Sequence, residues 1–575
     1  MTPGDIVMML NEMGGLRVQA TSPSLGASSV RIQGMRGRYT RFLADGLPLF
    51  GQQGGGLGLL QIPPMDLGQV EVIKGAASAL YGAGAMGGVV DLISRRPGPE
   101  PVHEFLLNRT TLGGTDAALF LASKLSAAWG ASLLANGDFQ ERNDIDKDGW
   151  ADLAGYSRGV LKPRFFWDGG TGATGFLTGG ITWENRRGGT LPGAALEATS
   201  APYGEAIFTR RYELGGNFQA MVQKRYVVTF RFAASTQHHD HRFGEVRERD
   251  RHQMLFGEVT VRGTSGRHTW VAGAAAERDA YRPLDVPRFA YTYQTPGAFV
   301  QDDLAITNWL SLSASARVDV QNRYGTFFSP RASALVRSHG WTSRLSAGQG
   351  FFAPTPLTEE TESAGLTRLI LPQPLLAERG RTASLDVTRA LGPTSYTVTF
   401  FSSRVSHPLY VERDDRYRLT NLADPATNLG VEFLGTYRKA PFSATASYTW
   451  VRSLQTVAGA VVDSPLTPRQ SLGLTAMWET EKWKAGAECY YTGRQRLDEN
   501  PYRSWSEPYV LFGFLASRRL GPVSLFVNVE NLGNVRQTKW NSLLRPNRAA
   551  DGRWTVDAWA PLDGRVLNGG LRFRF

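Results

Sequence analysis

Regular alternation of apolar and polar residues is the dominant pattern of this chain. Along residues 310–320, apolar side chains occupy every second position, with Ser, Arg or Asp between them. Residues 228–234 and 525–529 repeat the pattern. Successive side chains of an extended strand point to opposite faces, so each segment predicts a strand with one apolar face and one more polar face.

The number and spacing of these segments predict a barrel rather than a soluble β-sandwich, which would show the same alternation. From about residue 103 to the end they recur roughly every 20 residues, with aromatic residues near their ends and turn-forming residues between them. That length accommodates about 22 strands, enough to enclose a wide lumen. The chain ends on Leu571, Phe573 and Phe575 on one face, with two arginines on the other.

Residues 31–97 depart from this pattern and predict a smaller α/β unit ahead of the barrel. Residues 41–49 and 69–75 are short apolar strands, the first interrupted by Asp45-Gly46 at a tight turn. Residues 76–81 predict one helical turn, and residues 88–93 another strand. The glycines between them, in segment 82–88, indicate backbone conformations that only glycine adopts easily.

Segment 82–87 also fits G-x-G-x-x-G, the fingerprint of dinucleotide-binding folds. That fingerprint requires a strand before it, a helix after it, and an acidic residue about 20 positions further on. Here a helical turn precedes the glycines and a strand follows them. The inverted order argues against a nucleotide site.

Composition narrows the class of protein. No apolar run approaches the roughly 18 residues of a membrane-spanning helix, whereas a barrel strand needs only about 9–11 alternating residues. The single cysteine, Cys489, can form no internal disulfide. The net charge of +11 comes from scattered arginines rather than from a continuous stripe. We therefore expect a lumen that favours anions, or lipopolysaccharide contacts, and no nucleic acid.

Four segments of the α/β unit, in order, resemble the plug domain of the TonB-dependent outer-membrane receptors: 31–34 (RIQG), 43–48 (LADGLP), 70–75 (VEVIKG) and 78–88 (SALYGAGAMGG). Segments 298–304, 350–355, 430–433 and 528–534 resemble motifs of the family's barrel, and the terminal phenylalanine resembles its sorting signal. Phe351 stands where the family commonly has Arg.

This resemblance implies an all-β transmembrane fold, with a plug over residues 1–100 inside an antiparallel barrel of about 22 strands over residues 101–575. It also implies active import across the bacterial outer membrane, energised by the TonB–ExbB–ExbD complex and contacting outer-membrane lipid. The expected cargo is a scarce metal chelate, foremost a ferric siderophore. A cobalamin or haem importer, or a docking receptor that does not transport, are the alternatives.

Catalysis has no support in the sequence. The chain contains no G-x-S-x-G, HExxH or CxxC motif, and no nucleophile–base set is apparent. We expect no enzyme activity and no required cofactor.

The resemblance also assigns residues to two roles. Arg31 and Lys74 stand where the family places cations that latch the plug to barrel carboxylates, with Glu432 as the expected partner and Glu488 as a weaker one. The glycine-rich segment 50–58 is the expected plug apex, and its candidate ligand contacts are Phe50, Gln52 and Gln53.

Two clusters are candidate metal sites in outward-facing loops. Asp144, Asp146, Asp148 and Asp152 alternate around Gly149 in a spacing that suits calcium, as in loops of relatives in the cobalamin-receptor branch. The twelfth position is Gly155 rather than the glutamate of an EF-hand, so a solvated Asp/Gly turn is the alternative.

The second cluster lies among the histidines of residues 238–252. His239 and His241 share a strand face and could bind a borderline metal or the ligand together, while a polar strand end is the plainer interpretation.

The start of the chain shows neither a signal peptide nor the family's TonB box. We expect that the natural reading frame begins further upstream, the alternative being a shortened relative.

Overall fold

The computed structural model describes residues 6–49, 55–413 and 416–575. The N-terminal part forms a plug. Its helices are α1 (Val7–Asn11), α2 (Gly55–Leu60) and α3 (Ser78–Tyr81), and its strands are β1 (Leu16–Ser22), β2 (Ala27–Ile32), β3 (Thr40–Ala44), β4 (Leu47–Pro48), β5 (Leu67–Lys74) and β6 (Gly88–Ser94). Within the described ranges, no helix combines the length and apolar character needed to span a membrane.

The plug is built on a four-stranded sheet in the order β4-β3-β6-β5, with β1 and β2 as a separate hairpin. Val90 and Leu92 of the sheet pack with Val30 and Ile32 of the hairpin in one buried core. Burial of each such side chain contributes about 1.5–3 kcal/mol. The Asp45-Gly46 turn was predicted, and both residues have positive φ, as a two-residue hairpin turn requires.

Twenty-two long strands of the described residues close into one antiparallel barrel, which confirms the predicted fold class and strand number. They are β7 (Val102–Thr110), β8 (Thr115–Lys124), β9 (Trp129–Gln140), β10 (Gly155–Asp168), β11 (Thr174–Gly189), β12 (Gly204–Val222), β13 (Tyr226–Phe243), β14 (Val246–Ser265), β15 (His268–Pro283), β16 (Tyr291–Ala305), β17 (Leu310–Gln321), β18 (Gly325–Ser338), β19 (Trp341–Phe352), β21 (Glu378–Leu391), β22 (Thr394–Ser406), β25 (Ala426–Lys439), β26 (Phe442–Val457), β28 (Gln470–Glu479), β29 (Trp483–Thr492), β30 (Tyr509–Leu520), β31 (Val523–Glu530) and β32 (Val566–Arg574).

Further short strands and one α-helix lie in the connections between the barrel strands. These are β20 (Leu369–Ile370), β23 (Leu409–Arg413), β24 (Tyr417–Asn421), β27 (Ala460–Asp463) and the helix α4 (Glu359–Ala364). The first three form a small sheet of their own, and β27 extends β26 as a hairpin. The predicted boundary at residues 100 and 101 falls in the connector between β6 and β7.

The barrel is apolar outside and polar inside, the reverse of a soluble protein. On β17, Ser315, Arg317 and Asp319 are buried in the lumen, whereas Val318 and Val320 face outward with 43% and 50% of their surface exposed. Aromatic residues such as Trp129 and Trp341 start strands at one end of the barrel and lie on its outer surface. Such an exterior suits contact with lipid, where aromatic residues collect at the interfaces.

The two ends of the barrel differ. At one end the connections are tight turns, including residues 223–225, 339–340, 440–441 and 521–522. At the other end residues 141–154, 190–203, 353–377 and 531–565 form long connections. In outer-membrane barrels the short turns face the periplasm and the long loops face outward. The outward end of the lumen is therefore the end to which external ligand has access.

The long loops pack on one another and on the plug. Trp150, Tyr203 and Trp554 come from three different loops: Trp150 stacks on Tyr203 at a ring-centroid separation of 6.1 Å, and Trp554 meets Tyr203 edge to face at 6.2 Å. Met35 and Tyr39 of the plug lie in one buried cluster with Leu409 and Tyr417 of the loop sheet. The candidate functional site is thus enclosed between the plug and the long loops of the barrel.

The outward orientation of Val318 generates a prediction. Val318→Arg would place a guanidinium in hydrocarbon, and we expect it to reduce the free energy of unfolding in lipid by about 2 kcal/mol. Urea unfolding in phospholipid vesicles measures this, with Val318→Leu as the matched control. Equal stability of the two variants would contradict a lipid-facing exterior.

Candidate functional site

The plug is held to the barrel wall by an ion pair between Lys74 and Glu432. Lys74 Nζ at the end of β5 lies 2.5 Å from Glu432 Oε2 on β25, and it also donates to the carbonyl of Gly14 at 2.8 Å. The neighbouring Gly15 has a φ of +76°, and a Cβ there would lie 2.1 Å from Glu432 Oε1. Glycine is therefore required for the plug backbone to approach this carboxylate.

Arg31 has a different partner from the expected one. Its Nη2 lies 3.0 Å from Glu359 Oε2 on α4, and its Nη1 donates to the hydroxyl of Thr467 at 3.1 Å. The expected pairing of Arg31 with Glu432 is wrong, because Glu432 is occupied by Lys74. In the described ranges, Glu488, the weaker expected partner, forms no ion pair with a cation of the plug. The plug is thus attached to the wall through Lys74 and to the loops through Arg31.

Helix α4 carries the attachment to the loops, which the sequence reasoning missed. Arg36 Nη1 lies 2.9 Å from Glu360 Oε1, and the Ser29 hydroxyl donates to Glu359 Oε1 at 2.9 Å. Burial alone would raise the pKa of Glu359 and Glu360, but Arg31 and Arg36 respectively hold these pKa values below their usual range. Both carboxylates therefore remain charged at neutral pH and bind the plug tightly.

The sequence at the start of α4 contains a signal that predicts a helix. Thr358 and Thr361 form a reciprocal capping box at its first turn, and the acidic residues fall in that turn. Negative charge is favourable at a helix N-terminus, so the run of acids directly after segment 350–355 predicts a helix start.

A third plug–barrel contact lies at the base of the loops. The Tyr39 hydroxyl donates to Glu378 Oε1 at 2.5 Å, and Arg38 Nε lies 3.3 Å from the other carboxylate oxygen. The amide of Leu409 also donates to Glu378, at 2.7 Å. One buried carboxylate thus joins the plug to the loop sheet.

Of the predicted plug apex, residues 50–58, the candidate ligand contacts Phe50, Gln52 and Gln53 lie outside the described residues, whereas residues 55–58 belong to α2. Gln61, directly after α2, is the described glutamine next to it. Arg211 Nη1 donates to Gln61 Oε1 at 3.0 Å, and Gln61 Nε2 donates to Glu184 Oε1 at 3.3 Å. The plug is therefore held to the barrel wall at the end of α2.

A cavity of about 240 Å³ separates the plug hairpin from the loops and is lined largely by charged side chains. Its lining includes Arg36, Glu360, Arg413, Arg496, Asp498 and Glu499. Arg496 pairs with Asp498 at 3.0 Å. Burial raises the pKa of the Asp498 and Glu499 carboxyl groups. The cavity offers both guanidinium donors and carboxylates, which suits a polar ligand with many hydrogen-bonding groups.

The aspartate segment forms a compact loop at the outward end. Carboxylate oxygens of Asp144, Asp146 and Asp152 all lie within 4.8 Å of one another, while Asp148 is not part of this group. Asp152 Oδ2 also accepts hydrogen bonds from the amides of Ile145 and Asp146. Three converging carboxylates fit the oxygen ligands that calcium prefers, so the calcium site stays a prediction for three of the four aspartates.

The pKa values of this loop are raised. Burial, and then the carboxylates of Asp146 and Asp148, raise the pKa of Asp152 to about 7. Burial, and then Asp146 and Asp144, raise the pKa of Asp148 to about 6. Crowded carboxylates without a cation favour the protonated form, and a bound cation would reverse this.

The two candidate histidines face the lumen beside α4 but have different neighbours. His239 Nδ1 lies 2.9 Å from Asp250 Oδ1, and the His241 ring lies 3.8 Å from the Phe243 ring, centroid to centroid. His241 Nε2 has no hydrogen-bond partner in the described part of the chain. Both rings line a cavity of about 60 Å³. Contact of these rings with metal or ligand stays a prediction.

The wall attachment generates a prediction. Glu432→Gln would leave the Lys74 ammonium without its counter-charge, and we expect the local opening free energy of β5 to fall by about 1–3 kcal/mol. This is less than for a fully buried pair because the Lys74 side chain is 30% exposed. Hydrogen–deuterium exchange of the β5 amides measures the change. Glu488→Gln on the same wall is the matched control, and equal exchange in the two variants would show that the ion pair does not hold the plug.

Comparison with known proteins agrees with this architecture. The family model described as "TonB dependent receptor-like, beta-barrel" matches residues 108–532, and the model of the TonB-dependent receptor plug domain matches residues 2–89. A curated relative, the vitamin B12 transporter BtuB of Vibrio vulnificus (strain YJ016), is 31% identical over 84 residues. The matched part covers 15% of this chain and 14% of that relative.

Solved structures share the fold over the whole chain at low identity. The siderophore receptor PirA from Acinetobacter baumannii has a TM-score of 0.80 at 16% identity, covering 100% of this chain and 96% of its own. A mutant of the ferric enterobactin receptor PfeA of Pseudomonas aeruginosa, in complex with enterobactin, has a TM-score of 0.79 at 16% identity, covering 100% and 97%. Because a family model matches most of the chain and the plug, barrel and loops follow the same plan, this chain belongs to the family of TonB-dependent receptors.

Proposed function

We propose that this receptor imports a scarce metal chelate, foremost a ferric siderophore, across the bacterial outer membrane. The observation that carries the proposal is a lumen filled by a plug that is ion-paired to the wall and to the loops. A passive pore needs an open lumen, whereas a plug held by breakable polar contacts needs an energy source to move. The family's TonB–ExbB–ExbD complex is that source in this proposal.

The proposed ligand chamber is the charged cavity between the plug hairpin and the loops. Hydroxyl, amide and carboxylate groups of a siderophore could be met there by the guanidinium groups of Arg36, Arg413 and Arg496. The fold neighbours described as siderophore receptors support this cargo class. The family consists of receptors and transporters, so the chamber is a binding site and not an active site.

Cobalamin and haem are the alternative cargoes, and a docking receptor is the alternative without transport. The similarity to a vitamin B12 transporter supports cobalamin, but only over a short segment. The apolar exterior and the net charge of +11 support an outer-membrane location with contacts to lipid and lipopolysaccharide.

Uptake tests the function directly. Cells that express the protein from its full reading frame receive labelled ferric siderophores, cobalamin or haem, with and without an uncoupler of the proton gradient. We expect gradient-dependent accumulation of one compound and gradient-independent binding of the same compound. Binding without accumulation would instead identify a docking receptor, and accumulation that the uncoupler leaves unchanged would contradict energised import.

Calcium is proposed as an accessory ligand of loop 141–154. Because the raised pKa of about 7 at Asp152 means that a proton must leave before calcium binds, we expect calcium affinity to fall as the pH drops from about 8 to about 5.5. Without calcium the sign reverses, and the loop becomes more stable as the pH falls through about 7, since protonation relieves carboxylate repulsion.

Calcium titration of the purified receptor, followed by exchange of the loop amides, measures both effects. Asp152→Asn should abolish calcium protection, whereas Asp148→Asn, outside the converging group, should retain most of it. Equal protection in the two variants would argue against this ligand set.

A further inference from the structure

Three cavities follow one another along a single side of the plug, from the loops to the periplasmic end. The outermost has a volume of about 60 Å³ and lies between the plug, α4 and the wall formed by β12 to β15. Its lining includes Gln61, His239, His241, Asp250, Tyr281 and Glu362.

The middle cavity, of about 40 Å³, continues down the same wall. Its lining includes Arg41 and Gly82 of the plug and Ala275, Glu277, Asp279 and Arg317 of the barrel. Arg41 pairs with Glu277 at 2.5 Å, and Arg231 on the same wall pairs with Glu258. The charges are therefore mutually compensated, so the cavity has no strong preference for one sign of charge.

The third cavity, of about 320 Å³, opens at the end of the short turns. It lies between the connector at Arg96 and Pro97 and the ends of β8 to β12, where its lining includes Phe166, Phe176 and Asn217. The order of the three cavities follows from the strands. Along β13, His241 and His239 precede Arg231 from the outward end to the periplasmic end. The third cavity begins at the level of Arg231, because Asn217 on the neighbouring β12 pairs with it, and it extends to Gln219, two residues nearer the periplasmic end.

Two narrow points separate the cavities. Between the outermost and the middle cavity, His252 contacts Asp279. Asp279 lines the middle cavity, and Tyr281, two residues further along β15, lines the outermost one. Between the middle and periplasmic cavities, Leu47 of β4 lies in a buried cluster with Phe176, Ala233 and Met254 of the wall.

Leu47 fills its narrow point because the wall opposite lacks a side chain. A Cβ at Gly215 would lie 2.8 Å from Leu47 Cδ1, so the leucine rests directly on the backbone of β12. Leu47 is 4% exposed. Its removal would join the middle cavity to the periplasmic one, since Gly46 and Pro48 on either side of it line the middle cavity and Phe176, in its buried cluster, lines the periplasmic one.

Another part of the wall is packed closely against the plug. A Cβ at Gly350 of β19 would lie 2.1 Å from Ser78 Oγ, and one at Gly380 of β21 would lie 3.0 Å from Met86 Sδ. The ion pair of Lys74 with Glu432 holds the plug to the nearby strand β25. The plug therefore packs closely on β19, β21 and β25, whereas the cavities lie along β12 to β17 and at the periplasmic ends of β8 to β12.

We propose that cargo crosses the barrel along this file of cavities, between the plug and β12 to β17 and then past the periplasmic ends of β8 to β12, and that Leu47 closes it at rest. The inference rests on the proposed import function. A cavity of about 40 Å³ holds only a few water molecules, so passage of a chelate requires the plug to move away from this wall. The contacts that must break are the ion pair of Arg41 with Glu277 and the packing of Leu47 against the barrel wall.

Ion conductance tests the closure without any cargo. In planar lipid bilayers, purified Leu47→Ala receptor should show at least a threefold higher leak conductance than the wild type. Leu214→Ala is the matched control, because this neighbour of Gly215 lies on the outer surface with 49% of its area exposed. No rise in Leu47→Ala, or the same rise in both variants, would overturn the assignment of Leu47 as the closure.

Uptake tests the route. Ala275→Trp would fill the middle cavity, and we expect surface binding within twofold of the wild type but at least tenfold slower energised uptake. Ala274→Trp, on the outer face of the same strand, should retain wild-type surface binding and wild-type energised uptake. Uptake by Ala275→Trp at the wild-type rate would overturn the route.

The two proposals fail separately. If the wild type accumulates no compound, the import function fails, while the conductance of Leu47→Ala still decides whether the file of cavities is closed by this residue. Electrophoretic mobility with and without heating shows whether each variant forms a closed barrel before either measurement is made.

Discussion

The structure depends on one constraint, the pairing of every backbone amide and carbonyl of a strand that lies in lipid. An unpaired group in hydrocarbon costs several kcal/mol, so a sheet can span a membrane only when it has no edge. The pairing of β32 with β7, with Phe573 opposite Phe105, removes the last edge. Closure fixes alternate side chains to the outside and the inside, and lipid selects apolar residues for the outside. A polar lumen is the consequence, and the plug has to be complementary to it.

That complementarity explains why charged contacts hold the plug. A buried ion pair adds little net stability, because desolvation offsets its attraction, but loss of one partner is costly. Arg31 and Arg36 each pair with a carboxylate on α4, and Lys74 pairs with one on β25 of the barrel wall. Such contacts fix position strongly with a modest net gain in free energy. They suit the proposed import, in which the plug would occupy one place at rest and leave it under force.

Much of the fold followed from the sequence because two rules act locally. Alternation with a period of two specified the barrel strands, and the resemblance of short motifs specified the plug. Lys74 was paired with the right carboxylate because both residues belong to short motifs. Arg31 was not, because its partner lies in a long loop 328 positions away whose fold is set by tertiary packing. The glycines of segment 82–88 have a structural reason. A Cβ at Gly82 would lie 3.3 Å from the Arg317 guanidinium, and one at Gly88 would lie 2.4 Å from the Ile73 carbonyl.

The positions of the contacts also determine the order in which a pull could release them. In the proposed import, force applied at the N-terminal end of the plug would reach the β1–β2 hairpin before the four-stranded sheet. The hairpin holds the loops, since Arg17 donates to Gln495, Gln19 donates to the carbonyl of Ala558, and Arg31 binds α4. Lys74 and Leu47 belong to the sheet and come later along the chain. Contacts that close the outward end would therefore weaken before those that close the file of cavities, an order that releases bound ligand into the lumen before a path through it opens.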